Sequence, residues 1–360
     1  MKGPFSALAG HGHEQVVYGA DEVTGLRCII AVHSTTLGPA VGGTRYHPYA
    51  TEADALVDVL RLSEAMTYKA AVSGLDCGGG KAVIWGDPSV DKTEPLLRAY
   101  GRMIDSLGGR YVTACDVGTY PDDMATISRE TRWVVGSVPE EGGSGDSGVT
   151  TALGTYVGIR ACASHVWGSA ELAGRHVAIQ GIGKVGRRLA GRLADDGARL
   201  TVADPNEEAT AWCAEHLGAE VVGTDKIHAV DADVFSPNAL GAAVSDATLP
   251  ELSCRIIAGA ANNQLSHDAL APELDAAGIL YAPDFVINAG GLIQVTDELR
   301  PGGFSEARAH RAARGIGDRL AEVLAVARQE RLPTIDAALR VAERRISALQ
   351  NVSRIRRPAR

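Results

Sequence analysis

Residues 176–186, HVAIQGIGKVG, decide the fold. An apolar strand runs into three glycines spaced GxGxxG, and a helical segment, 187–196, follows. A strand, a glycine-rich turn and a helix in this order are typical of a unit that binds a dinucleotide. Gly181 would make the turn, Gly183 would let the backbone approach a pyrophosphate, and Gly186 would let the helix pack against the strand.

An acidic residue follows the next predicted strand. Asp204 directly follows the segment 199–203 and lies about 20 residues beyond the glycines. At this position a carboxylate would accept a hydrogen bond from a ribose 2′-hydroxyl. A carboxylate would repel a 2′-phosphate, so the sequence favours NAD over NADP. The predicted cofactor-binding residues are Gly181, Ile182, Gly183, Lys184, Val185, Gly186 and Asp204.

Strands and helices alternate along most of the chain, which predicts an α/β fold with a parallel sheet. Predicted strands are 26–33, 82–85, 110–113, 176–180, 200–203, 234–236, 255–258 and 279–281. Predicted helices are 51–68, 93–107, 121–129, 150–167 and 187–196, with 305–349 also helical.

A segment rich in Gly and Ser, residues 140–148, interrupts this pattern and marks a domain boundary. We predict a substrate-binding α/β domain at 1–147 and a doubly wound Rossmann domain at 148–334, with a cleft between them. We expect the C-terminal helices, about 335–360, to pack back on the first domain.

Composition excludes several classes of protein. The 360 residues carry a net charge of −9, which argues against general binding to nucleic acid or a membrane surface. No apolar stretch approaches the roughly 18 residues of a membrane helix. The six cysteines form no CxxC pair, no secretory signal precedes them, and no zinc pattern occurs. We therefore expect a cytoplasmic protein without a metal.

Glycine is unusually abundant, with 42 residues, and it clusters. The clusters lie at 42–43, 78–80, 142–148, 181–186 and 290–291. Glycine suits tight turns and close approach of the backbone to a ligand. The clusters predict either several loops that line one cleft or a set of ordinary turns.

The first half contains two lysines close to glycine-rich segments. Lys69 directly follows the predicted helix 51–68, in the segment MTYK at 66–69, and Lys81 lies between three glycines and the apolar strand AVIW. A lysine buried there would lose solvation, and its pKa would fall towards neutral, as a general base requires. Asp116 follows another strand and would supply a carboxylate.

Several segments together resemble one family, the glutamate/leucine/phenylalanine/valine dehydrogenases. The segments are LDCGGGKAV at 75–83 with Asp87 and Pro88, GPAVGGTR at 38–45, RYVTACDVGT at 110–119, AGAANN at 258–263 and YAPDFVINAGG at 281–291. The resemblance spans roughly residues 13–300. Within the family, the pattern lies nearest the members that act on valine, followed by those that act on leucine.

The resemblance implies reversible, NAD-dependent oxidative deamination of an amino acid to a 2-oxo acid and ammonia by a homo-oligomer, at least a dimer. It implies that Lys69 binds the substrate carboxylate, helped by Asn288 and by the backbone at Gly42 and Gly43.

The remaining implied roles concern the reaction itself. Lys81 would activate the water that adds to an imino intermediate, and Asp116 would move protons to and from the amine. Thr151 and Asn262 would hold the nicotinamide end of the cofactor. One lysine must stay charged and the other must lose a proton easily, which is a coherent division of tasks.

The predicted side-chain pocket is aliphatic. Glutamate-specific members carry a lysine at the position of Val41, and valine cannot pair with a substrate carboxylate. Val41, Ala114, Leu292 and Val295 match pocket positions and favour a branched-chain substrate, most of all L-valine. A leucine- or phenylalanine-preferring enzyme, a catalytically silent NAD-binding regulator and a 2-hydroxy-acid dehydrogenase remain the alternatives.

Overall fold

The computed structural model describes residues 8, 11–239 and 241–350. Within them the chain divides into two units. The first takes in the residues through Gly145, with Gln294–Glu306 and those from Ala342 onwards; the second takes in Asp146–Ile293 and Ala307–Val341. The last ten residues of the segment 335–360 lie outside the described residues.

The first unit is built on a five-stranded mixed sheet in the order β1-β2-β4-β3-β5. Its strands are β1 Gln15–Asp21, β2 Leu26–Ser34, β3 Ala40–His47, β4 Gly78–Trp85 and β5 Tyr111–Cys115, and its helices are α1 Glu52–Val72, α2 Glu94–Asp105 and α3 Pro121–Ser128. β1, β2 and β4 are antiparallel neighbours, whereas β3 runs parallel to both β4 and β5.

Threonine side chains begin two of these helices. Thr51 accepts a hydrogen bond from the backbone N–H of Asp54, and Thr93 accepts one from that of Leu96. Each cap satisfies an N–H group that the helix itself cannot pair. The predicted helical segments therefore start correctly, although α1 continues to Val72.

Each face of this sheet is covered by helices. On one face, apolar side chains of β2 and β4 pack against Leu96, Leu97, Tyr100 and Ile104 of α2. On the other, Val83 of β4 and two residues of β2 form a cluster with Ala55, Val59 and Leu60 of α1. Because side chains alternate along a strand, neighbouring residues of β4 face different helices.

The glycine runs of the first unit lie in strands, so the prediction that they form loops is wrong at these two places. Gly78–Gly80 belong to β4, and Gly42–Gly43 belong to β3. A Cβ on Gly79 would overlap the backbone nitrogen of Thr67 in α1, and one on Gly42 would overlap the carbonyl oxygen of Gly80. The space that these glycines leave is occupied by the chain itself.

The second unit contains a six-stranded parallel sheet in the order β11-β10-β9-β6-β7-β8. Its strands are β6 His176–Gln180, β7 Arg199–Ala203, β8 Glu220–Val221, β9 Val234–Pro237, β10 Ile256–Ile257 and β11 Leu280–Tyr281. The helices that follow Gly145 along the chain are α4 Gly148–Trp167, α5 Lys184–Asp195, α6 Glu207–Leu217, α7 Leu270–Ala276, α8 Asp284–Ile287, α9 Gly290–Asp297, α10 Glu306–Arg314, α11 Ile316–Glu330 and α12 Thr334–Gln350. The ends of α9 and α12 belong to the first unit.

This strand order is that of a doubly wound Rossmann sheet, which confirms the predicted fold class. β6 matches its predicted limits, and the other predicted strands shift by one or a few residues. Three strands and four helices were not predicted: β1, β3 and β8, and α6, α7, α8 and α9. No helix within the described residues combines the length and hydropathy needed to cross a membrane.

Close packing at Gly79 has a measurable effect on stability. Gly79→Ala should lower the free energy of unfolding by about 1–3 kcal/mol, because α1 must move away from β4. The matched control is Gly191→Ala in α5, where a Cβ meets no atom within 4 Å. That variant should be about 0.5–1 kcal/mol more stable. Urea unfolding at fixed protein concentration measures both, and equal stabilities would contradict the packing role.

Candidate active site

One face of the first sheet carries a cluster of charged side chains. Lys81 lies on β4, Arg45 lies on β3, and Asp116 directly follows β5. Arg45 pairs in register with Val83, which packs against α1. Lys81 shares the face of Val83, two residues away, so the cluster forms on the side of the sheet that α1 covers.

Lys81 and Asp116 form a buried ion pair. The Nζ of Lys81 lies 2.8 Å from Oδ2 of Asp116, and Lys81 is only 6% exposed. Burial lowers the pKa of Lys81, and the attraction of Asp116 offsets only part of this. Burial acts to raise the pKa of Asp116, but the attraction of Lys81 and Arg45 outweighs it and lowers that pKa. The pair therefore joins an easily deprotonated amine to a stable carboxylate.

A second basic group binds the same carboxylate oxygen. The Nε of Arg45 donates to Oδ2 of Asp116 over 3.1 Å, and its Nη1 donates to Oδ2 of Asp58 in α1 over 2.7 Å. The hydroxyl of Tyr49 also donates to Asp58 over 2.7 Å. Sequence reasoning did not select these three residues, although Arg45 ends the segment GPAVGGTR.

The backbone at Asp116 is held by a buried threonine. The hydroxyl of Thr119 accepts a hydrogen bond from the N–H of Asp116 over 2.9 Å and donates to the carbonyl of Thr44 over 2.8 Å. This bridge joins the turn after β5 to β3. It fixes the backbone from which the Asp116 side chain projects.

Lys69 lies in the last turn of α1 and is half-buried. It follows Thr67 by two residues, and Thr67 is the point where α1 approaches β4 so closely that only glycine fits at position 79. The Gly42–Gly43 backbone lies in β3 and pairs with β5, and the carbonyl of Gly42 accepts a hydrogen bond from the Tyr111 hydroxyl over 2.7 Å.

The aliphatic residues predicted to line the substrate pocket fall in both units. In the first, Val41 is buried on β3, Ala114 is buried on β5, and Val295 is half-buried. Leu292 is buried in the second unit, in α9. Their role towards a substrate stays a prediction.

In the second unit, the glycine-rich turn follows β6 and α5 starts at Lys184. Gly181 has φ +92°, and a Cβ there would lie 2.7 Å from the backbone nitrogen of Ala239. A Cβ on Gly186 would overlap the carbonyl of Gly181, whereas one on Gly183 would meet no atom within 4 Å. Two glycines therefore serve packing, and Gly183 leaves the open backbone that a pyrophosphate requires.

Asp204 follows β7 and contacts this turn. One carboxylate oxygen accepts a hydrogen bond from the N–H of Ile182 over 2.6 Å, and the other accepts one from the N–H of Asn206 over 2.8 Å. The carboxylate is thus fixed beside the glycine-rich turn. Its predicted contact with a ribose stays a prediction.

The other predicted residues of the second unit form two groups. The side-chain nitrogen of Asn288 donates to Oδ1 of Asn262 over 2.8 Å. Thr151, near the start of α4, donates to the carbonyl of Ser147 over 2.9 Å, and a Cβ on Gly290 would lie 2.6 Å from the Cα of Thr151. The structure therefore places Asn262 beside Asn288 and Thr151 beside the glycines that begin α9.

Asn238 is a further residue of this region that the sequence did not indicate. Its N–H donates to the carbonyl of Gln180 over 2.6 Å, and its side-chain oxygen accepts from the N–H of Ala260 over 2.9 Å. It connects the end of β6 to the segment that carries Asn262. In the part of the chain that the structure describes, no group of three or more His, Cys, Asp or Glu side chains is arranged to hold a metal ion.

Comparison with known proteins identifies the family. A family model described as the Glu/Leu/Phe/Val dehydrogenase dimerisation domain matches residues 13–133, and the Glutamate/Leucine/Phenylalanine/Valine dehydrogenase model matches residues 206–351. The chain belongs to the Glu/Leu/Phe/Val dehydrogenase family. It is an amino acid dehydrogenase, and this class uses a nicotinamide cofactor.

Individual members of the family are similar over almost their whole length. The chain is 50% identical over 339 residues to a valine dehydrogenase of Streptomyces virginiae, covering 93% of this chain and 94% of that one. It is 46% identical over 346 residues to a leucine dehydrogenase of Geobacillus stearothermophilus, covering 96% and 94%. The crystal structure of L-tryptophan dehydrogenase from Nostoc punctiforme superposes with a TM-score of 0.87 at 44% identity, covering 96% and 99%.

The ion pair gives a test that needs no turnover. Asp116→Asn removes the anion that opposes deprotonation of Lys81, so the pKa of Lys81 should fall by about one unit or more. Cyanate carbamylates only the unprotonated amine, so the rate at Lys81 against pH, measured by peptide mass spectrometry, reports this pKa. Lys92, paired with Asp123, is the reference in the same digest. An unchanged or higher pKa of Lys81 would contradict the coupling.

Proposed function

We propose that this protein catalyses the reversible, NAD-dependent oxidative deamination of a branched-chain L-amino acid, with L-valine preferred. The overall reaction converts the amino acid, NAD⁺ and water into the 2-oxo acid, ammonium, NADH and a proton. The observation that carries the proposal is the buried Lys81–Asp116 pair on a sheet face whose neighbouring residues, Val41 and Ala114, are aliphatic. The Lys81–Asp116 pair offers acid–base groups, whereas Val41 and Ala114 offer no partner for a charged substrate side chain.

We assign recognition of the substrate carboxylate to Lys69. It lies in the last turn of α1, and its ammonium is the charged partner that a carboxylate needs. The backbone at Gly42 and Gly43 and the amide of Asn288 would add hydrogen bonds. The side-chain amide of Asn288 already donates a hydrogen bond to Asn262, which supports a defined orientation of that amide.

We assign the base to Lys81 and the second proton transfer to Asp116. Lys81 would take a proton from the water that attacks the iminium carbon, giving a carbinolamine. The proton taken up by Lys81 would then pass by way of the Asp116 carboxylate to the departing amine, because Nζ and Oδ2 are 2.8 Å apart, and Asp116 would return to its ionised state. The lowered pKa of Lys81 supports its role, since a base must be unprotonated at the working pH.

We assign cofactor binding to Gly181–Gly186, Asp204, Thr151 and Asn262. The open backbone at Gly183 and the free N–H groups at the start of α5 suit a pyrophosphate. A nicotinamide cofactor held by these residues would supply the acceptor for the hydride of the substrate Cα. We infer NAD rather than NADP because the Asp204 carboxylate, held beside the turn, would repel a 2′-phosphate.

The preference for valine has two supports. Val41 cannot pair with the side-chain carboxylate of glutamate, and burying that charge alone would cost several kcal/mol, on the order of 3–5. The relatives named above act on valine, leucine and tryptophan by their names, and identity is highest to the valine enzyme. One methylene separates valine from leucine by only about 1–3 kcal/mol, so leucine should be a weaker substrate rather than an excluded one.

We further propose that the enzyme is a homo-oligomer, at least a dimer, in the cytoplasm. Residues 13–133 match a model described as a dimerisation domain, which supports association. All six cysteines are free thiols and five of them are buried, in keeping with a reducing compartment.

The decisive experiment is NADH formation with L-valine, L-isoleucine, L-leucine, L-phenylalanine, L-tryptophan and L-glutamate, each with NAD and with NADP. We expect the highest kcat/KM with L-valine and NAD, with ammonia formed in equal amount to NADH. Fastest turnover of glutamate would overturn the aliphatic pocket. NAD binding without any turnover would favour a silent regulator, and turnover of a 2-hydroxy acid without ammonia would overturn the chemistry.

Lys81→Ala tests the assignment of the base. Its kcat should fall about 10²–10⁴-fold, because the attacking water loses its proton acceptor. NAD binding, measured by fluorescence quenching, should persist since the glycine-rich turn belongs to the second unit. Turnover close to that of the unmodified enzyme would remove Lys81 from the mechanism.

Asp204→Ser and Asp204→Asn separate charge from loop structure. Both remove the negative charge, so the ratio of kcat/KM with NAD to that with NADP should fall in each. The asparagine keeps an oxygen that can accept from the N–H of Ile182, so its turnover with NAD should be the higher of the two. An unchanged cofactor ratio in both variants would show that Asp204 does not face the ribose.

A further inference from the structure

Two basic side chains converge on a single carboxylate oxygen in the first unit. Oδ2 of Asp116 lies 2.8 Å from the Nζ of Lys81 and 3.1 Å from the Nε of Arg45. An ion pair needs only one cation, so the second one requires an explanation. The explanation lies in what happens to the carboxylate when one of the cations becomes neutral.

Arg45 is also held in place by a carboxylate other than Asp116. Its Nη1 donates to Oδ2 of Asp58 over 2.7 Å, and the Tyr49 hydroxyl donates to that same oxygen over 2.7 Å. The other oxygen of Asp58 accepts from the exposed Arg61 over 3.1 Å. A planar guanidinium that is bonded at both ends has little freedom to rotate. Arg45 therefore stays on Asp116 whatever the state of Lys81.

We propose that Arg45, anchored by Asp58 and Tyr49, is a positioning residue that keeps Asp116 ionised and oriented while Lys81 gives up and regains its proton. The proposal rests on the proposed function of Lys81 as the base. An arginine does not deprotonate in a protein, so it supplies a permanent positive charge where the charge of Lys81 is temporary.

The alternative without Arg45 shows why this charge matters. A neutral Lys81 would then leave Asp116 as a largely buried carboxylate without a cation, which is a costly state. Asp116 would hold the proton on Lys81, and the base would be blocked. Arg45 removes that penalty because it pairs with the same oxygen throughout.

Among the charged groups around Lys81, Arg45 acts in the direction that this role requires. Burial lowers the pKa of Lys81, Asp116 on the turn after β5 raises it, Arg45 on β3 lowers it and Asp58 on α1 raises it. The effect of Arg45 exceeds that of Asp58. Removing Arg45 and Asp58 together should therefore raise the pKa of Lys81 without leaving either of them as an unpaired charge.

The test uses the full-length enzyme carrying Arg45→Met and Asp58→Asn together. The limb of the kcat profile that reports the pKa of Lys81 should move to higher pH, because the effect of Arg45 exceeds that of Asp58. Turnover on the acid side of that limb should drop by the factor that matches this shift, about tenfold for each pH unit, and recover at high pH. Arg45→Lys keeps the positive charge, so its limb should stay close to that of the unmodified enzyme even where kcat falls.

Arg61→Met is the matched control, because Arg61 bonds Asp58 but makes no bond to Asp116. Its pH profile should equal that of the unmodified enzyme. A loss of kcat by the same factor at every pH in the double variant, with the limb unmoved, would mean that Arg45 only supports the fold and would overturn the proposal.

A readout without turnover separates this proposal from the proposed function. The pH dependence of cyanate modification at Lys81 should move upwards in the double variant, opposite to the shift expected for Asp116→Asn. This shift in an enzyme that oxidises no amino acid would refute the proposed function and still establish the coupling of Arg45 to Lys81. An unmoved pKa of Lys81 in a folded double variant, judged by circular dichroism, would refute the role of Arg45.

Discussion

The contact between the amine of Lys81 and the carboxylate of Asp116, 2.8 Å apart, sets the conditions for much of the first unit. A lysine this deeply buried needs a carboxylate nearby, and the carboxylate in turn needs a fixed backbone and a second cation. Thr119 fixes the backbone, Arg45 is the second cation, and α1 covers the face on which they meet. The chemistry that we propose for this protein therefore depends on how the parallel strands β3, β4 and β5 pack with helix α1.

Glycines make this close packing possible, and they do so in the same way in both units. Gly79 lets α1 lie against β4, and Gly186 lets α5 lie against the turn after β6; at each, a Cβ would overlap a backbone atom of the chain. Gly183 differs, because a Cβ there would point into open space. A glycine that packs against its own chain supports stability, whereas one that faces open space is suited to a ligand.

The sequence predicted those parts of the fold and site that depend on neighbouring residues. The strand before Gly181, the turn and Asp204 form a short local pattern, and β6 appears with its predicted limits. Lys81 and Asp116 were each selected from their own surroundings. Their pairing depends on the register of β3, β4 and β5, which local patterns do not determine. For the same reason Gly78–Gly80 suggested loops, and the Arg45–Asp58 contact, which requires α1 to be in place, was missed.

Chemical rescue of Lys81→Ala by small primary amines, in the direction of deamination, tests whether Lys81 is the base of the reaction. An amine that enters the space left by the lysine side chain should act as the missing base. Turnover should rise with amine concentration and with the basicity of amines of equal size, while the unmodified enzyme should not respond. Failure of every amine to raise turnover in a folded variant that binds NAD would contradict a base at this position.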